Sequence, residues 1–157
     1  LPVLLDLLSD NLDPPVEISR SLVEMRASIG VDAARHGAGR ASAGKRREIE
    51  TLADTAAGFV GVDDEKLDLA FGIFWEAIIV GSDNIAYRLA FNSLMKAVLL
   101  KSEMAQRIRP SNAPLIRDLG KAIGAGDEER TVEVARAMLE PDIKVFDACW
   151  APPAVRL

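Results

Sequence analysis

The chain has 157 residues, 49% hydrophobic and 27% charged, with a formal net charge of −5. A chain this long closes one core and buries roughly 70% of its unfolded surface, and its acidic balance excludes unaided grip on a phosphate backbone, which needs clustered Lys and Arg. Cys149 is the only cysteine, so no intrachain disulfide can form and a reducing cytoplasm fits; no uncharged apolar run reaches the 18 or so residues of a membrane span, and no leader pattern opens the chain.

In chain order, LPVLLDLLSDNLDPP reads as a short helix that stops at Pro14-Pro15. From Val16 to Ala38, Ile18, Leu22, Met25, Ile29 and Ala33 recur every three or four residues and predict a helix, ended by Gly37 and Gly39. Ser42 then caps a polar helix whose inner face carries Ile49, Leu52, Ala56 and Phe59. Asp63-Asp64 open a third long helix, and Ser82 or Asp83 is expected to cap a fourth that runs from Asn84 to about Ile108. These two helices, Phe71–Leu100 in the main, are apolar nearly all round, which places them at the centre of a bundle or along an internal cavity.

A further helix is predicted from Pro114 to about Ala125, and a last one begins at Asp127, with Pro141 expected to kink or restart it. APPAVRL closes the sequence as a tail. No alternating β-branched run occurs. The expected architecture is all-α, an antiparallel bundle of six to seven helices spanning residues 1–148, with 149–157 as the tail.

The ordered series VEMRASIGVDAARHGAGRAS, then a polar helix, then IFWEAIIVGSDN and IAYRLAFNSLMKA resembles the C-terminal effector-binding domain of GntR-type transcription regulators, in the FadR-like branch. Glu24, Arg26, Asp32, Ala33, Ala34 and Arg35 match its first long helix, and Ser82-Asp83-Asn84-Ile85 stands where it carries a Ser-Gly-Asn-Pro loop. Within that branch the likeness is closest to the acyl-CoA-responsive members, through LPVLLDLLSD, Phe74, Tyr87, Asn92 and Met95-Lys96. The resemblance implies a homodimeric, ligand-sensing module of a bacterial regulator. DNA would be read by a winged helix-turn-helix domain upstream of Leu1.

Most such proteins hold a metal ion through an Asp and three His. The corresponding positions here fall on Phe71, Trp75, near Ile116 and near Pro141, none of them a ligand type. The expectation is therefore a metal-free, cofactor-free, apolar cavity for an acyl-CoA, a fatty acid or another small apolar acid. Around Leu115–Leu119, however, the Tyr and Ser used by acyl-CoA-binding members are missing.

Arg26 lies beside the apolar stripe of its helix, from which it could pair an effector's carboxylate or phosphate; the plainer alternative is a surface Arg paired with Glu24 or Asp32. Phe71, Trp75 and Ile116 either fill the core or line a pocket. Asn92 and Lys96, spaced i,i+4, either meet a ligand head group or sit on a solvated face. His36 reads as a cation near a helix C-terminus. No set of nucleophile, base and orienting acid is present, so no enzymatic activity is expected. The alternative to a sensor is a helical dimerisation or interaction module with a filled core and no ligand.

Overall fold

A computed structural model describes residues 16–99 and 102–150, with side chains over 20–96 and 105–144. The predicted opening helix, residues 151–157 of the tail and the side chain of Cys149 lie outside the described residues; residues 149–150 of the expected tail end α7 instead. Within them the chain is all-α, with seven helices: α1 (Val16–Arg40), α2 (Ala43–Phe59), α3 (Asp64–Gly81), α4 (Ile85–Leu99), α5 (Ser102–Arg107), α6 (Ala113–Gly124) and α7 (Glu128–Trp150). No described helix is long and apolar enough to cross a membrane.

Side-chain caps set most of the starts. Ser42, Asp63 and Asn112 each accept a hydrogen bond from the backbone N–H three residues on, as does Asp127 from Arg130. The start of α4 differs from the expectation. Asn84, rather than Ser82 or Asp83, is the cap, its Oδ1 accepting from the N–H groups of Ala86 and Tyr87. Ser82 instead closes α3, its Oγ donating to the Ile79 carbonyl at 2.6 Å. Asp83 turns the chain with φ 51°, a left-handed conformation that a short polar side chain tolerates.

Two boundaries also differ. α1 passes through Gly37 and Gly39 to end at Arg40. Gly37 faces the Ile78 carbonyl, and Gly39 lies against the Glu128 side chain, where a Cβ would collide. The predicted fourth helix is described as α4 and α5, with residues 100–101 between them outside the described residues. α7 runs through Pro141 without a restart. Pro141 is exposed, so its ring and the carbonyl freed of an N–H partner face solvent, where the cost is smallest.

α1 packs on α7 and α3, and α2 packs on α6 and α3. The core runs through Ala33, Ala34, Ile49, Ala53, Phe74, Ile78, Leu119, Ile123 and Leu139. Many of these are alanines, which lets helices approach closely. The α2–α6 crossing is close: Gly120 lies on Ala53 and on the Glu50 backbone. On α2 the inner face centres on Ala53, with Ile49, Ala56 and Ala57, while Leu52 and Phe59 are only half-buried.

Candidate functional site: a two-chambered apolar cavity around Arg26

α3 contributes an aromatic cluster. Phe71, Phe74 and Trp75 have ring centroids 5.9 to 6.2 Å apart, with Phe71 and Trp75 edge to face at 83°. Phe74 is fully buried, and Trp75 is 6% exposed. Beside these rings lies a cavity of about 140 Å³ whose lining includes Phe71, Trp75, Phe91, Leu94, Met95 and Leu139. A second chamber, of about 220 Å³, is lined by Leu115, Ile116, Met138, Pro141 and Asp142 among others. Arg26, Phe71, Ile108 and Pro110 border both chambers and so form the partition between them.

Arg26 turns inward and away from both partners that the sequence offered. Its Nη1 donates to Asp142 Oδ2 at 2.7 Å, and the two side chains are only 16% and 18% exposed. Glu24 pairs with Arg20, and Asp32 with Arg35. Burial pushes the Asp142 carboxyl above the ordinary carboxylate range, and the Arg26 guanidinium pulls it only part of the way back. The ion pair joins α1 to α7 across 116 residues of sequence. Trp75, in the wall of the smaller chamber, carries a buried Nε1–H with no acceptor.

Half-exposed Asp68 belongs to the lining of the smaller chamber. Arg109 is clamped there. Its Nε and Nη2 each donate to one Asp68 oxygen at 2.7 Å, and its Nη1 donates to Asp64 at 3.2 Å. This fork ties the segment between α5 and α6 onto α3, so that Ile108 and Pro110 wall the cavity.

Of the six residues singled out from the sequence, Arg26, Phe71, Trp75 and Ile116 line one or both chambers. Asn92 and Lys96 are exposed and border neither. The cause is helical phase. On α4 the positions facing inward are Tyr87, Phe91 and Leu94, spaced i, i+4, i+7, whereas Asn92 and Lys96 continue the outer row of Ile85 and Leu89. Phe71, Trp75, Ile116 and Pro141 all border the cavity and offer it carbon and an indole. Among the described residues no three His, Cys, Asp or Glu side chains converge on one point.

Asp142 is the functional candidate that sequence reasoning missed. It follows a proline taken for a helix break, and nothing local signals a partner on α1. A second polar cluster joins α1 to α4. Tyr87 Oη donates to Asp32, Arg35 donates to the same carboxylate from Nε and Nη2, and the His36 ring stacks on Tyr87 with centroids 6.2 Å apart. His36 thus packs within α1 and does not cap its end. No family model and no curated protein matches the chain.

Proposed function

We propose that this chain is the ligand-sensing module of a transcription regulator of the FadR-like kind, binding a small apolar acid in a metal-free cavity. The observation that carries the reading is a largely buried Arg, 16% exposed, at the junction of two chambers walled mainly by apolar side chains. Small-molecule sites combine these features: apolar area supplies affinity, and a few placed polar groups fix orientation. Taken together, the chambers reach the low end of the roughly 300–1,000 Å³ such sites occupy. That size favours a short acid over a long acyl chain with a nucleotide attached.

Binding is coupled to helix arrangement. The cavity wall draws on α1, α3, α4 and α7 together with the α5–α6 segment, so a ligand that fits one arrangement better than another shifts the population between them. DNA contact belongs to a separate domain, because the acidic surface of this chain repels phosphate.

A second copy of the chain is the partner in this reading, and one surface favours it. Leu69, Ile73, Val80, Ile85 and Leu89 are exposed along the outer faces of α3 and α4. Around them α3 exposes Glu65, Asp68 and Glu76 against Lys66, while α4 exposes Arg88 and Lys96. A two-fold contact that lays α3 on α4 of the second copy matches acidic to basic rows and covers both apolar stripes.

A thermal-shift screen tests the sensing function. A ligand bound only by the folded state raises the melting temperature by mass action, equivalent to about 2.7 kcal/mol at a hundred times its Kd. Short apolar carboxylates are expected to raise it and Arg26→Ala to abolish the rise. A melting temperature unmoved by acids of every chain length, free fatty acids and acyl-CoAs would leave the interaction module with no ligand as the better reading.

A further inference from the structure

The polar centre of the cavity is a pair, and the pair constrains the ligand more than its Arg alone. Arg26 and Asp142 neutralise each other at 2.7 Å with little exposure to solvent. An incoming carboxylate that takes Arg26 from Asp142 leaves a buried carboxylate without its cation. An incoming amine that takes Asp142 leaves a buried guanidinium without its anion. Either substitution strands one charge, and a stranded buried charge is the costly outcome. A molecule carrying both charges avoids it, because each partner exchanges one counter-ion for another.

No neighbouring ion pair offers the same opportunity. Arg109, in the lining of the smaller chamber, is already engaged by both Asp68 oxygens and by Asp64, in a cluster open to solvent. The smaller chamber fixes the size of the remainder. At about 140 Å³ it is close to the roughly 150 Å³ cavities that take a benzene ring, and its wall includes the rings of Phe71, Trp75 and Phe91.

We propose that the ligand is a small zwitterion with one apolar substituent, of the apolar α-amino-acid class. Its carboxylate lies on Arg26, its ammonium on Asp142, and its side chain in the aromatic chamber. This rests on the sensing function and narrows it. Inserting the head group between Arg26 and Asp142 parts α1 from α7, which converts occupancy into a helix displacement.

The test is calorimetric titration of the full chain with three molecules of one shape: phenylalanine, 3-phenylpropanoate and phenethylamine, followed by the leucine series. The zwitterion is expected to bind at least tenfold more tightly than either single-charge analogue. Asp142→Asn, which keeps the shape and loses the charge, is expected to erase that preference by weakening the amino acid and not the acid. If the acid binds as tightly as the amino acid, or Asp142→Asn leaves the preference intact, the zwitterion is wrong and a simple acid sensor stands. If neither series nor any apolar acid binds, the sensing function falls with it. Should Asp142→Asn fail to fold, the ranking in the native protein decides alone.

Discussion

Asp32 gathers two different donors at the α1–α4 contact. Tyr87 gives it an O–H and Arg35 gives it two N–H groups, while the nearby His36 Nε2, 3.4 Å away, accepts from Arg35 Nη2. The Tyr87 hydrogen bond is the largest reason that the Asp32 carboxyl lies below the ordinary carboxylate range, ahead of Arg35, and the same bond holds the Tyr87 phenol above its usual value. A carboxyl depressed in the folded state contributes stability that is complete above its unfolded pKa, about 3.9 for Asp, and is lost as pH falls through the folded value. Tyr87→Phe removes the main cause. Its expected cost is about 1 kcal/mol at neutral pH, below the roughly 1.5–3 kcal/mol of a hydrogen bond to a charged group because Asp32 is partly solvated. The variant should also lose less stability than the native protein when acidified below about pH 4. Melting curves from neutral pH to about pH 2 check both; parallel curves for the two proteins would show that the bond carries no proton linkage.

Between helices, two glycines should behave in opposite ways on the same change. Gly72 lies in mid-α3 with open space where a Cβ would go, whereas Gly120 in α6 meets the Ala53 side chain and the Glu50 backbone. Helix propensity alone favours Ala over Gly by about 0.8–1.0 kcal/mol at either site. Gly72→Ala should therefore stabilise by up to about 1 kcal/mol, while Gly120→Ala should destabilise by about 1–3 kcal/mol because the α2–α6 crossing must part. Denaturant unfolding of both variants decides it, and stabilisation by Gly120→Ala would mean that the crossing is looser than the backbone indicates. The helices were legible in the sequence because periodicity and capping are local: Ser42, Asp63 and Pro114 stand within a residue or two of the starts they mark. What a glycine is for was not legible. Gly37 and Gly39 have the composition of a stop signal, and only the positions of Ile78 and Glu128 show that they are contact points inside a helix. Asp142 was hidden for the same reason, its partner being on another helix.

At the scale of the whole molecule, Phe71–Leu100 read as apolar on more sides than one buried face requires, and the structure divides that excess into three uses. Phe74 and Ile78 fill the core, and Phe71, Trp75, Phe91 and Leu94 line the cavity. Leu69, just ahead of that stretch, joins Ile73, Val80, Ile85 and Leu89 in facing outward, with Leu69 at 68% exposed and Ile85 at 77%. Scattered apolar residues on a surface need no explanation, but Leu69, Ile73 and Val80 repeat at i, i+4 and i+11 along one face of α3, and Ile85 and Leu89 repeat at i and i+4 along α4. If a second copy covers this face, sedimentation should give about twice the 17.0 kDa of the chain. Leu89→Glu should return it to the mass of one chain, since a carboxylate would be buried without a partner at the contact. The position is 61% exposed within one copy, so the variant should keep the circular dichroism of the native protein. It should also keep its thermal response to ligand, because Leu89 borders neither chamber. A native chain that sediments as a single copy would remove the second copy from the account and leave the cavity untouched, since no chamber wall draws on the outer row of α4.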